Sequence, residues 1–353
     1  MRGATSHDHS WRRGPAAPGR ATTAAGRQIS RAARRWSLGA LLVAGGFLLP
    51  PAVAAQAPGA AAQTTGELAV RLIGMTAVSG YEQAMADSLL ELLPGATRDR
   101  AGDVILELGE SGPRRLAVCP MDEWGYVVGG IHEGGYVTLR RVGRGQPAFF
   151  DQQHEGHRVV IWGSAGPVPA VVGVPSVHLL RGGRGAFQAN RLFQVDDAWV
   201  DLGASSPEGV RAAGVDVLDP VALEKALQRY GTDLVAGPEA GQRGACAALA
   251  AAARSASAGR EGALEGRNVI AFTVESRIGH RGLGTVLDLE GPFEQTLLVG
   301  YPEPRRFPLA GRMGEVTRLD LRTRYDGSAI ETIALREVGT LAKRIETWLK
   351  GER

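Results

Sequence analysis

The spacing of apolar positions past residue 65 predicts alternating helices and strands. Leu68, Leu72, Ile73 and Met75 mark a first helix; Met85, Leu89, Leu92 and Leu93 share one face of a second, which stops at Pro94-Gly95. Ser79-Gly80-Tyr81-Glu82 reads as a capping box opening that second helix, the Ser oxygen taking an orphan N–H while Glu82 reaches back. Residues 104–108 and 116–118 are short apolar runs of strand type, the second ending at Cys119-Pro120. From Tyr126 to about Leu218 the rhythm changes. Runs at 127–128, 136–139, 159–162 and 168–174 are broken by Gly or Pro every eight to twelve residues, the spacing of a small barrel or sandwich. The glycine pairs Gly129-Gly130, Gly134-Gly135 and Gly182-Gly183 read as hairpin turns, since no Lys-Ser/Thr follows to make a phosphate loop. Helix and strand then alternate again: an Ala-rich helix over 245–256, strands over 269–274 and 296–299, and a last helix carried by Ile333, Ala334, Val338, Leu341, Ile345 and Trp348. The expected fold is α/β, a central mixed sheet flanked by helices (66–126 plus 237–353) with an inserted small β-barrel domain (127–236).

The residues before this pattern account for the charge. Eight arginines face one acid, Asp8, before residue 54, so the net charge of +3 leaves the remainder near −4. The basic balance is therefore local and does not argue for a nucleic-acid partner. Arg34-Arg35 precede an apolar run over 36–49, Pro50-Pro51 and Ala52-Val53-Ala54, which together read as a cleaved export signal (1–54), either of the twin-arginine type that Arg34-Arg35 resembles or of the general secretory type, followed by a linker (55–65). The run is too short to span a bilayer of roughly 30 Å, so no membrane span is expected after removal, and the mature chain is expected in the periplasm or secreted. Cys119 and Cys246 are the two cysteines. They either pair in an oxidising compartment or remain as buried thiols.

A series of motifs adds a family to this picture. Val78-Ser79-Gly80-Tyr81-Glu82, Met121-Asp122-Glu123-Trp124-Gly125, Pro175-Ser176-Val177-His178, Val200-Asp201-Leu202-Gly203-Ala204-Ser205 and Arg243 with Cys246 follow one another in order. Phe272-Thr273-Val274, Gly279-His280-Arg281-Gly282, and Arg324-Tyr325 with Ser328 and Glu331 complete the series, which covers nearly all of residues 65–350. It resembles the glutamyl/tetrahedral aminopeptidases, dinuclear metallopeptidases of the zinc-exopeptidase fold with an inserted β domain. The resemblance implies two zinc or cobalt ions, a peptide substrate and a large oligomer.

The positions this resemblance assigns to the metal site carry other residues. The His ligand falls on Pro120, the bridging Asp on Gly241 and the Asp after it on Gln242. The Glu-Glu pair falls on Ser276 and Arg277, a further Asp ligand on Gly300 (or on Asp288 with the gap placed differently), and the last His on Gly327. A two-metal hydrolase needs about five His, Asp or Glu ligands and a carboxylate to activate water; glycine and proline have no side-chain donor, and Arg277 brings a cation. The expectation is a metal-free, non-catalytic homologue that binds a peptide or protein, self-assembles, or joins a paralogue as a subunit. Asp122 and Glu123 remain at the old site. Either Arg277 pairs with them in place of the lost metal charge, or they solvate a strand end. The competing expectation is a working hydrolase drawing ligands from Asp122, Glu123, Glu275, Asp288 and His280. His154 and His157 are expected in a solvent-exposed loop, His178 and His280 in structural roles. A third reading is a Cys119 thiol nucleophile beside Asp122 with His280 as its base.

Overall fold

The computed structural model describes residues 64–173, 192–259, 264–301 and 310–351. The stretch expected as an export signal, most of the expected linker, Gly182-Gly183 and the Pro175–His178 motif lie outside the described residues. Chain order runs α1 (Thr65–Ile73), α2 (Gln83–Leu92), β1 (Thr97–Arg98), β2 (Val104–Leu108), β3 (Arg114–Pro120), β4 (Tyr126–Ile131), β5 (Tyr136–Arg141), β6 (Arg158–Gly163), β7 (Gly166–Val172) and β8 (Val200–Asp201). It continues with α3 (Pro207–Ala212), β9 (Pro220–Leu223), β10 (Gln228–Tyr230), β11 (Leu234–Ala236), α4 (Ala240–Ser257) and β12 (Arg267–Thr273). The chain closes with α5 (Arg281–Leu289), β13 (Gln295–Val299), β14 (Glu315–Leu319), β15 (Thr332–Ala334) and α6 (Leu335–Leu349).

The main sheet has six strands in the order β1-β2-β12-β3-β13-β14. Its four inner-to-edge strands β12, β3, β13 and β14 are parallel, and β2 runs antiparallel to β12. Both faces are covered, so successive residues of β3 and β12 are buried on opposite sides. Ala117, Cys119, Ile270 and Phe272 join the core shared with α1, α2, α4 and α6, while Leu116, Val118, Val269 and Ala271 meet Leu283, Val286 and Leu287 of α5. This three-layer α/β arrangement is the expected one.

Strands β4-β5-β8-β7-β6-β9 close a barrel. Alternation fills it: Val159 and Ile161 point inward to Tyr126, Val128, Val137 and Val221, leaving Trp162 half-exposed. The stretch expected as the insert, 127–236, divides differently at its end. β10 and β11 pair with each other and β11 with β15, so residues 228–236 form a three-stranded sheet with the chain's last strand rather than part of the barrel.

Two local readings are corrected. The Ser79–Glu82 capping box does not form: α2 begins at Gln83 without a side-chain cap, and the Ser79 hydroxyl donates instead to the buried Asp122 carboxylate. A capping box does open α1, where Thr64 accepts from the Glu67 N–H and Glu67 accepts from the Thr64 N–H. Gly129-Gly130 lie within β4 at a shift of register against β5, a bulge rather than a hairpin turn. Gly134-Gly135 do turn the chain between β4 and β5, both at positive φ.

Candidate functional site

The register of the main sheet pairs Phe272 with Cys119 and Thr273 with Pro120, so β3 and β12 end side by side. The loops leaving them, 121–125 and 274–280, therefore emerge together at the carboxyl end of parallel strands, where open α/β sheets place their ligand crevices. The start of α4 completes the site. A disulfide, Cys119–Cys246, ties β3 to α4 beneath it, with both residues buried. Of the two readings left open for the cysteines, the structure has the pair, and a Cys119 thiol nucleophile is excluded because no cysteine is free.

Above the disulfide lies a cavity of about 450 Å³ whose lining includes Gly241, Gln242, Arg277, Gly300 and Gly327. Residues assigned to one site from far-apart motifs thus meet in space. Pro120 and Ser276 are buried and do not line it; the Pro120 carbonyl accepts from Nε2 of the lining residue Gln242 at 2.9 Å. At two glycines the space a side chain would need is already taken. A Cβ on Gly241 would lie 2.3 Å from Thr323 Cγ2, and one on Gly300 would lie 2.6 Å from Ala245 Cβ, with φ at +58° besides.

Arg277 dominates the cavity. Its guanidinium donates to Glu239 Oε2 at 3.1 Å and to Gln242 Oε1 at 2.5 Å, and it stacks 4.7 Å from the Trp124 ring centroid. The side chain is 7% exposed, so this is a largely desolvated ion pair. The expected pairing of the Arg277 guanidinium with Asp122 and Glu123 is corrected: from Arg277, Asp122 accepts the backbone N–H, at 3.1 Å, and not the guanidinium, and Glu123 is engaged elsewhere. Nor do these carboxylates solvate a strand end, since both are buried. Glu123 accepts from the Ala77 N–H at 2.9 Å, is hydrogen-bonded by Lys225 and lies 3.7 Å from Arg243. Burial alone would raise its carboxyl; Lys225, Arg243 and the Ala77 amide outweigh that and hold it below the usual range.

The turn carrying Arg277 is held by three carboxylates from three different parts of the chain. Asp103 accepts the Val274 N–H at 2.8 Å, Glu82 the Glu275 N–H at 2.9 Å, and Asp122 the Arg277 N–H. Glu275, inside this turn, adopts a left-handed conformation. Burial first, then the Asp122 charge, raises Glu82 to about 7; burial, together with the Asp99 and Glu82 charges, raises Asp103 to about 8. Across the cavity Glu331 accepts the Gly241 N–H at 3.1 Å, and burial, a hydrogen bond with Asp326 and the Glu239 charge raise it to about 9.

These three carboxyls set an unusual pH dependence. Each keeps its proton in the folded chain at pH values where the unfolded chain, with carboxyls near 4, has lost it. The folded state binds more protons between about pH 4 and 9, so their contribution to stability is complete below about pH 4 and drains away as pH rises through 7, 8 and 9. Glu123 acts in the opposite sense, but its contribution is lost only on acidification below about 4.5. The urea midpoint is therefore expected to be higher at pH 5.5 than at pH 8.5, and Asp103→Asn should flatten the slope. A midpoint that climbs over that interval contradicts the assignment.

The other sequence candidates do not converge. Glu275 pairs with Arg281 at 2.8 Å, Asp288 with Arg312 at 3.1 Å, and the His280 ring lies against Tyr301 at 5.6 Å between centroids. Among the described residues no three His, Cys, Asp or Glu side chains gather as a metal ion would require. His154 is corrected: it sits in a turn but is buried, with Nδ1 3.0 Å from the Phe150 carbonyl and its ring edge-on to Tyr126, and burial lowers it to about 4. His157 is exposed, as expected. Glu239, Trp124 and Lys225 are the residues sequence reasoning missed. Glu239 stands two places before Gly241 and Trp124 directly follows Glu123, and those adjacencies were the available signals.

The comparisons agree with this architecture. The sequence pattern of the M42 glutamyl aminopeptidases matches residues 102–289. The chain is 31% identical over 190 residues to the putative aminopeptidase SgcX of Escherichia coli (strain K12), covering 52% of this chain and 49% of that protein. It is 26% identical over 229 residues to the lysyl aminopeptidase of Pyrococcus furiosus, covering 60% and 64%. Sequence similarity thus spans about half the length of the first of these relatives. Its fold is similar to that of the Pyrococcus horikoshii TET1 peptidase, a protein that assembles into a tetrahedron or a large octahedral shell, with a TM-score of 0.68, 21% identity and coverage of 81% and 99%. The TET aminopeptidase of a marine-sediment Thaumarchaeota archaeon gives 0.66, 19%, 81% and 96%. On the family match, joined to the fold and to the order of its motifs, this chain belongs to the M42 glutamyl aminopeptidase family.

Proposed function

We propose that this chain is an exported, non-catalytic member of its family that keeps the fold to bind a peptide or protein partner or to build an assembly. One observation carries the reading. The cavity presents Gly241, Gly300 and Gly327 where the family resemblance assigns metal ligands, and it holds Arg277 among them, bonded to Glu239 and Gln242. Such a donor set does not fit a pair of zinc or cobalt ions, which need about five His, Asp or Glu ligands and tolerate no guanidinium in their place. The carboxylates nearby are committed to other cations or to amides, which weighs against a working hydrolase with a substitute ligand set. The disulfide supports export, because such bonds persist in oxidising compartments. The oligomeric TET1 relative supports a homo-oligomer.

The test is metal analysis of the purified chain together with a broad screen of aminoacyl anilides and peptides. The expected result is substoichiometric zinc, cobalt and manganese, and no hydrolysis above background with or without added metal. Two equivalents of bound metal, or chelator-sensitive hydrolysis abolished by Asp122→Ala, would establish the hydrolase reading instead.

A further inference from the structure

A second recess, of about 310 Å³, lies on the other side of Thr323, whose residue lines both spaces. One wall is the stretch after β14, which contributes Arg322 and Arg324; the facing wall is the first turn of α6, with Arg336 and Glu337. Leu234 and Ala334, paired neighbours in the three-stranded sheet, contribute to its apolar surface.

The charges in this recess do not cancel. Arg336 is compensated by Asp233, which bonds its guanidinium at 2.9 Å and also accepts its backbone N–H. Arg322 and Arg324 have no ion-pair or side-chain hydrogen-bond partner among the described residues. Three guanidiniums thus face two carboxylates, those of Asp233 and Glu337, leaving an excess of +1. The start of α6 adds nothing to this excess, because the Asp233 carboxylate already accepts an N–H there and Glu337 lies in its first turn.

We infer that this recess, which the exposed Arg322 and Arg324 both line, binds a small phosphate-bearing anion. The arginine fork matches the geometry of phosphate oxygens, and two uncommitted forks can share one tetrahedral group. The volume sits at the lower end of ligand pockets, roughly 300–1,000 Å³, which suits a head group or a small phosphorylated molecule rather than a protein segment. Phosphate monoesters and free phosphates share the chemistry. The site is separate from the one around Arg277 and does not depend on whether that site binds metal.

Calorimetric titration of the full chain at low salt tests the inference, with inorganic phosphate, pyrophosphate, glycerol phosphate and malonate as probes. Saturable one-to-one binding of the phosphates is expected, weakened about tenfold or more in Arg322→Gln/Arg324→Gln. Arg100→Gln/Arg344→Gln removes the same charge from exposed positions elsewhere and should bind as the parent does. Tighter binding of glycerol phosphate than of inorganic phosphate identifies a monoester ligand, and the reverse a free phosphate. Failure of every phosphate to bind, equal binding of malonate, or equal weakening in both double variants overturns it.

Discussion

Glu123→Ala is expected to destabilise the chain by about 3–5 kcal/mol, the usual cost of removing one partner from a buried charge cluster. Glu123 is 1% exposed and answers two cations that are nearly as buried, Lys225 and Arg243. Without the carboxylate both keep their desolvation penalty and lose its compensation. The Ala77 amide loses its acceptor as well. The cluster also joins distant parts of the chain, because Lys225 follows β9 of the barrel while Glu123 follows β3 of the main sheet. Lys225→Met should cost less, since it leaves Arg243 to neutralise Glu123. Urea unfolding of the two variants measures the order. Equal and small losses, under about 1 kcal/mol, would show that the cluster behaves as a surface pair does.

Cys119→Ala/Cys246→Ala is expected to cost roughly 2–5 kcal/mol, and reduction of the parent chain a similar amount. The bond closes a loop of 127 residues that contains the entire barrel, so its loss returns much conformational freedom to the unfolded chain. It also joins the strand and the helix that support the cavity from below. Thermal unfolding with and without reductant is the measurement. A melting temperature indifferent to reductant, with the thiols shown to be free, would mean that packing alone sets the position of α4.

Much of this molecule is legible along the chain, and what is not shares a cause. The period of two in β3 and β12, the helical spacing in α6 and the Gly/Pro punctuation of the barrel are local, so pattern alone recovers them. The ordered motifs bring Gly241, Arg277, Gly300 and Gly327 to one place for the same reason: each is fixed by its own neighbours. The partner of Arg277 is not fixed in that way. Asp122, Glu123 and Glu239 are chemically equivalent claimants, and only the paths of two loops and a helix start decide among them. The Asp103, Glu82 and Asp122 contacts to one turn are hidden because each joins a side chain to a backbone amide, which leaves no complementary residue to notice. Ser79 misled because its offset from Glu82 matches a cap, whereas its hydroxyl donates to a buried carboxylate 43 positions away and Glu82 accepts the Gly80 and Glu275 amides.

The contact between Gly241 and Thr323 constrains which residues these two positions can hold. A single reversion to aspartate at 241 would drive its Cβ to 2.3 Å from a threonine methyl and set a new negative charge beside Glu331. Position 323 must shrink in the same step, and Arg277 must leave before a cation can enter. Changes at positions in such contact do not add. On the proposed reading, an acid at 241 therefore calls for a smaller residue at 323, and neither position is free to vary by itself.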